Sequence, residues 1–174
     1  ARLSPSALFA PVVGILKGLT DPMVGLSMGQ TAENLAWRFG ISREAMDALA
    51  VDSHRRALDA RAAGRNVEIV PLIGPEGTVF AEDDGVRADS TPAALAKLKP
   101  FFDKPYGRIT PGNSSQITDG AAWLILASEA AVERHGLKPL GRFCVCHWAG
   151  LDPAQMGLGP VHAATPILRR HGLA

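Results

Sequence analysis

The clearest hydrophobic pattern in the chain predicts two consecutive helices. Thr31 is the expected N-cap of the first helix, which has Glu33 in its first turn and ends at Gly40. Ser42 is the expected N-cap of a longer helix that ends at Gly64. The longer helix repeats its mainly apolar positions with the 3.6-residue helical period, at Met46, Leu49, Ala50, Ser53 and Ala57. The pattern therefore predicts a helical hairpin.

The next part of the chain changes from a helical period to short β-branched runs. Residues 66–73 are predicted to form a strand, and Pro71 favours an edge position because it has no amide hydrogen to donate. Residues 74–77 form a predicted turn before a second short strand at residues 78–80. A short helix over residues 92–98 follows, with proline at its first position.

The last third alternates continuous apolar runs with helical segments. Residues 121–127 are typical of a strand buried on both faces, and residues 142–148 are predicted to form another strand. Ser128 is expected to begin a helix that ends at Gly136, and residues 160–170 form a final predicted helix. Strands and helices in this alternation predict an α/β fold with a layered sheet.

The composition is that of a globular protein. Hydrophobic residues make up 47% of the 174 positions and charged residues 20%, which is too apolar and too weakly charged for a disordered chain. The net charge is +1, so there is no electrostatic reason to expect nucleic acid or an anionic membrane as a partner. No apolar run reaches the roughly 18 residues of a membrane-spanning helix. We therefore expect neither a nucleic-acid partner nor a membrane span.

Two cysteines and a histidine lie close together near the C-terminal end, which suggests a metal site. A tetrahedral zinc site takes four ligands, usually in two pairs, and the remaining histidines offer no second pair at close spacing. Residues two apart in a strand share a face, so Cys144 and Cys146 are better explained as small buried hydrophobic residues. We expect no metal site.

Two loop segments have features of nucleotide or anion binding. Residues 157–160 contain two of the glycines of a dinucleotide loop but not the third, and Pro160 removes an amide, so we interpret them as a helix-entry turn. Asn113, Ser114 and Ser115 precede a turn whose exposed amides would bind an anion or an amide-bearing ligand. Ordinary helix capping explains the same three residues, and both interpretations remain open.

A series of short motifs resembles the thiolase family, in the order in which that family has them. The motifs that carry the resemblance are Met28-Gly29-Gln30-Thr31-Ala32-Glu33, Ser53-His54-Arg55-Arg56-Ala57, Asp84-Gly85-Val86-Arg87, Thr110-Pro111-Gly112-Asn113-Ser114-Ser115 and Met156-Gly157-Leu158-Gly159-Pro160. The resemblance implies an α/β fold with part of a thiolase-like layered sheet and a helical loop-domain region. It assigns residues 1–107 to the CoA-binding loop domain, residues 108–138 to the end of the N-terminal thiolase half and residues 139–174 to the start of the C-terminal half.

The resemblance implies that the parent protein is an acetyl-CoA acyltransferase. In this family a cysteine thiolate attacks the keto carbon of a 3-ketoacyl-CoA, acetyl-CoA leaves, and a second CoA takes the acyl group from the cysteine. CoA is thus a substrate, and no further cofactor is implied. Lys104-Pro105-Tyr106-Gly107 and the Ser114-Ser115 pair are most similar to the degradative 3-ketoacyl-CoA thiolases of fatty-acid β-oxidation. No residue here matches the family's catalytic cysteines or histidines, so we expect the 174-residue chain alone to be inactive.

The resemblance also implies which residues face the substrate. Arg87 would approach the adenine nucleotide end of CoA, and Ser115 would hydrogen-bond to its pantetheine arm. Asn113 and Met156 would lie near the acyl pocket. The complete set of positions implied to line the CoA cleft is Met28, Arg87, Phe102, Ser115 and Ile117.

Partners follow from the same resemblance. Relatives assemble as dimers or tetramers, so a homo-oligomer is implied, together with a cytoplasmic location and association with the α-subunit of a fatty-acid oxidation complex. The alternative is a non-catalytic module that binds CoA or supports oligomerisation.

Overall fold

The computed structural model describes residues 14–173, so residues 1–13 of the predicted loop domain lie outside the described residues. The regular elements are helices and two very short strands. In chain order they are α1 (Gly14–Gly18), α2 (Met28–Arg38), α3 (Arg43–Ala62), β1 (Leu72–Ile73), β2 (Val79–Phe80), α4 (Pro92–Leu95), a 3-10 turn at Pro111–Asn113, α5 (Glu129–His135), a 3-10 segment at Pro153–Leu158 and α6 (Gly159–Arg170).

Both helices of the predicted helical hairpin are confirmed, but the first begins three residues before Thr31. The Ser27 backbone amide donates to Gln30 Oε1 at 2.8 Å, and the Gln30 amide donates to Ser27 Oγ at 3.4 Å. This reciprocal pair is a capping box, and it satisfies free amides at the start of α2. Thr31 lies inside the helix, where its hydroxyl donates to the Met28 carbonyl oxygen at 2.8 Å.

Helix α3 has the ends that the sequence predicts. The Ser42 hydroxyl accepts a hydrogen bond from the Ala45 amide at 3.1 Å, which caps the helix N-terminus. Gly64 follows the helix with φ of +62°, in the left-handed region that glycine adopts without a steric penalty. Gly40 has the same role after α2.

The two strands β1 and β2 form a small antiparallel hairpin, with Leu72 opposite Phe80 and Ile73 opposite Val79. The predicted strand over residues 66–73 is therefore confirmed at its last two residues and wrong before them. The short helix predicted over residues 92–98 is also shorter, at Pro92–Leu95.

The chain divides into two compact units. The first unit contains residues 14–116 and 152–157, and it holds the helical hairpin, β1, β2 and α4. Its buried positions are partly polar, and they are Thr31, Glu33, Ala36, Asp47, Leu95, Ile109 and Thr110. The second unit contains residues 117–151 and 158–173, with α5 and α6.

The two strands predicted in the second unit are wrong. Residues 121–127 and 142–148 form no strand, and the side chains of residues 123–126 are between 86% and 94% exposed. A strand exists through hydrogen bonds to a neighbouring strand, and no described residue pairs with either segment. The predicted burial of Cys144 and Cys146 depended on the same strand, and both cysteines are exposed. Within residues 14–173, no helix is long and apolar enough to cross a membrane.

Candidate functional site

The first unit contains a cleft of about 510 Å³ beside helix α3. The loop at residues 84–90, helix α4 and residues 111–116 form its other walls. A second cleft of about 490 Å³ lies along the Met46–Ala57 side of α3 and shares part of the first cleft's lining. Both volumes are in the range of small-molecule sites. The residues common to the two clefts are His54, Gly85, Gly112, Ser114 and Gln116.

Helix α3 holds the loop that carries Arg87. The Arg87 backbone amide donates to His54 Nδ1 at 3.2 Å. Two turns further along the helix, the Arg61 guanidinium donates to the Asp83 carbonyl oxygen at 2.6 Å and pairs with Glu82 at 3.1 Å. Residues seven apart lie on one face of a helix, so the two side chains anchor the loop at two points along α3. The main chain of Arg87 is thereby positioned at the cleft.

The Arg87 side chain is accessible from solvent. Its guanidinium Nη2 lies 3.2 Å from Asp89 Oδ2, and the two side chains are 68% and 74% exposed. The hydrogen bond and positive charge of Arg87 hold the pKa of the Asp89 carboxyl below its ordinary value. A guanidinium in this setting offers further donors to an anionic ligand.

A buried polar network fixes the 3-10 turn at Pro111–Asn113. The Asp47 carboxylate accepts from Arg43 Nε at 2.8 Å and from Asn113 Nδ2 at 2.9 Å. Asn113 Oδ1 accepts in turn from the Thr110 amide at 2.8 Å. Buried charges are stable when they are paired and hydrogen-bonded, and both conditions hold for Asp47. The turn is therefore attached to the N-terminal part of α3.

A second buried carboxylate fixes the residues before that turn. Both Glu33 oxygens accept from the Arg108 amide, at 2.8 and 2.9 Å, and Oε1 also accepts from the Ile109 amide at 2.8 Å. The Arg108 guanidinium lies 4.1 Å from the centroid of the Trp37 ring and donates to the Ala36 carbonyl oxygen at 2.8 Å. Segment 108–113 is thus held at both ends by carboxylates of the hairpin.

Three of the predicted substrate-facing residues lie at the clefts. Arg87 lines the first cleft, and Asn113 and Ser115 line the second. The Ser115 hydroxyl is exposed and donates to the Gln116 carbonyl oxygen at 3.1 Å. The side-chain amide of Asn113 is used within the protein, in the hydrogen bonds to Asp47 and Thr110. Of the two interpretations left open for residues 113–115, Asn113 therefore fits helix capping.

The other predicted residues lie elsewhere in the two units. Met28 begins α2 and is about half exposed, and the Phe102 ring packs so closely on Gly29 that a side chain there would overlap it. Met156 is also about half exposed, and its neighbour Gly157 contacts the Leu35 side chain. Ile117 is exposed and belongs to the second unit. Among the described residues, no group of three or more His, Cys, Asp or Glu could hold a metal ion.

Two residues that line the first cleft, His54 and Asp89, are not among the residues predicted from the sequence to face the substrate. The seven-residue spacing of His54 and Arg61 was the available signal, because it places both on one face of α3. Nothing in the sequence pattern identifies Asp89 as the partner of Arg87 rather than of another cation.

Comparison with known proteins shows what kind of fold surrounds this cleft. Residues 10–130 match the family model of the thiolase N-terminal domain. The chain belongs to the thiolase family. The resemblance seen in the sequence motifs is confirmed. The predicted thiolase-like α/β fold is confirmed as the fold of the family to which the chain belongs.

The similarity of this thiolase chain extends over most of its length. It is 42% identical to the beta-ketothiolase BktB of Cupriavidus necator, over 99% of the chain and 44% of that protein. It is 44% identical to a 3-ketoacyl-CoA thiolase of Salmonella typhimurium, over 86% of the chain and 35% of that protein. The chain therefore spans less than half the length of these relatives.

Solved thiolase structures match as well. The structure of human mitochondrial 3-ketoacyl-CoA thiolase matches with a TM-score of 0.87 and 40% identity, over 92% of the present chain and 41% of the human chain. The same human enzyme in complex with CoA matches with a TM-score of 0.86 and 38% identity, over 95% of the chain and 44% of that one.

Proposed function

We propose that this chain is the CoA-binding part of a thiolase that transfers acyl groups between a 3-ketoacyl-CoA and CoA. The observation that carries the proposal is the match to a human thiolase whose structure is in complex with CoA, over 95% of the chain. The cleft beside α3 supports it, because it is large enough for part of such a ligand and has an exposed guanidinium at its edge.

The chemistry of the lining residues suits the different parts of CoA. Arg87 offers planar, charged donors of the kind that bind phosphate, so we assign it to the nucleotide end. Leu95 and Leu98 line the same cleft and provide apolar contact. Ser115, at the second cleft, is assigned to the pantetheine arm, with its exposed hydroxyl as donor or acceptor. Met28, Phe102 and Ile117 complete the proposed CoA positions, and Asn113 and Met156 the proposed acyl-pocket vicinity.

The reaction of the whole protein needs groups beyond those assigned here. Thiolysis requires a nucleophilic thiolate and a general acid and base, and neither cysteine of the chain lies in a family motif for these roles. We therefore assign this chain the binding of CoA and not the chemical step. The domain boundaries at residues 107 and 138 belong to the same proposal.

The biological setting is proposed from the same relatives and motifs. The 3-ketoacyl-CoA thiolases among the relatives favour the degradative direction, in fatty-acid β-oxidation. A matched yeast structure is described as a dimeric thiolase, which supports a homo-oligomer. A cytoplasmic location and association with a fatty-acid oxidation complex α-subunit are the remaining parts of the proposal.

Calorimetric titration of the 174-residue chain with CoA tests this proposal. We expect saturable binding, and we expect Arg87→Ala to weaken it by about 10-fold or more, because a hydrogen bond to a charged group contributes about 1.5–3 kcal/mol. Arg65→Ala removes an exposed arginine outside both clefts and is the matched control, with little change expected. Absence of saturable binding, or equal losses in the two variants, would contradict the assignment.

A further inference from the structure

The residue proposed to bind phosphate already has an anionic partner in the same cleft. Arg87 and Asp89 are paired at 3.2 Å, and Asp84 lines the cleft as well. The Arg87 guanidinium thus has one carboxylate directly against it, and a second carboxylate lines the same cleft. A phosphate that approaches Arg87 meets this negative charge before it gains its own hydrogen bonds to the guanidinium.

We propose that Asp89 is an affinity-tuning residue that competes with ligand phosphate for the Arg87 guanidinium. The inference rests on the proposed function, in which Arg87 meets the nucleotide end of CoA. Asp89 occupies the guanidinium when no ligand is present, and the phosphate displaces it on binding. The consequence is a weaker complex and a faster release of CoA and its thioesters.

The geometry allows this exchange. His54 holds the Arg87 main chain through the amide hydrogen bond of 3.2 Å, so the loop keeps its place while the side chain moves. The Arg87–Asp89 pair is exposed on both sides, and exposed ion pairs of this kind contribute little because water and salt screen them. A doubly charged phosphate is therefore able to replace the carboxylate, at a cost in affinity that corresponds to the lost pair.

The charge of Asp89 is present under ordinary conditions. The hydrogen bond from Arg87, followed by its positive charge, lowers the pKa of the Asp89 carboxyl, and His54 contributes in the same direction. The charged and titratable side chains at this cleft are Asp84, Arg87, Asp89 and His54. Asp89 therefore remains ionised at neutral pH and competes as a full negative charge.

Calorimetry with CoA and with pantetheine, which has no phosphate, tests the proposal on the Asp89→Asn variant. We expect CoA to bind about threefold to fivefold more tightly at low salt, as expected for loss of a competing surface pair, while pantetheine affinity stays unchanged. The gain falls as salt is added, because the pair is exposed. Asp59→Asn is the matched control. Asp59 is an exposed carboxylate that pairs with Arg55 at 3.0 Å, and it does not line the cleft.

The same substitution in an Arg87→Ala background separates this mechanism from a general change of charge. If Asp89 acts through Arg87, Asp89→Asn adds no CoA affinity once the guanidinium is absent. An unchanged or weaker CoA affinity in Asp89→Asn, an equal gain in Asp59→Asn, or a gain that persists without Arg87 overturns the proposal. Inorganic pyrophosphate is titrated in parallel. A pyrophosphate gain that depends on Arg87, without any CoA binding, supports the competition and overturns the proposed function instead.

Discussion

Single residues decide how the wall of the cleft is attached to the helical hairpin. Glu33 is 4% exposed and accepts from two backbone amides that lie 75 and 76 positions later in the chain. The sequence shows Glu33 near the start of a helix, where the helix dipole explains an acidic residue without any distant partner. The long-range contact was not predictable, because it depends on how segment 108–113 returns to the hairpin.

Replacing Glu33 by alanine is expected to lower the free energy of unfolding by about 2–5 kcal/mol. The buried Ile109 amide and the partly buried Arg108 amide lose their acceptor, and each unsatisfied group costs about 1–3 kcal/mol. Urea unfolding measured by circular dichroism checks the value. Glu76→Ala, at an exposed turn position, serves as the control with a change below about 0.5 kcal/mol. Similar losses in the two variants would show that the Glu33 hydrogen bonds contribute little.

At the scale of elements, helices and strands differ in how far the sequence determines them. Helix α3 was predicted with nearly its observed bounds, because Ser42 and Gly64 act on the chain within a few residues. The apolar run at residues 121–127 has the composition of a strand, but a strand needs a hydrogen-bonded neighbour that composition does not specify. Local signals were therefore sufficient for helices and insufficient for the sheet.

The cap of α3 gives a test at this scale. Ser42→Ala removes the acceptor for the Ala45 amide and is expected to destabilise the protein by about 1 kcal/mol, within a usual range of about 0.5–2. Ser53→Ala makes the same chemical change at an exposed position inside α3, where alanine favours the helix. In thermal unfolding, the midpoint temperature should therefore fall for Ser42→Ala and rise for Ser53→Ala. A matching decrease in both would contradict a capping role for Ser42.

The whole molecule distributes its apolar side chains unevenly between the two units. Leu95 in the first unit is 6% exposed, whereas Leu124 in the second unit is 90% exposed. The order of the motifs along the chain was sufficient to predict the thiolase family. The resemblance implied that Arg87 and Ser115 line a cleft, but no sequence pattern brings its walls together, because α3, the loop at residues 84–90 and segment 111–116 are far apart in sequence.

The two leucines allow a direct comparison of this difference. Leu95→Ala is expected to cost about 2–5 kcal/mol, as for other buried leucines, while Leu124→Ala changes stability by less than about 0.5 kcal/mol. Chemical denaturation of the two variants under identical conditions measures both values. A large loss from Leu124→Ala would mean that residues 121–127 are packed in solution.

His54 and Arg61 hold the loop that carries Arg87, and this restricts where the chain tolerates insertions and deletions. Removing one residue of α3 between them would rotate the two side chains by about 100° relative to each other, so they would no longer reach the same loop. The same loop follows the hairpin of β1 and β2 in the chain. The turn of that hairpin is exposed, and its length is not restricted by any contact with α3 among the described residues. Length variation among related chains should therefore occur in that turn and be absent from the seven-residue interval of α3.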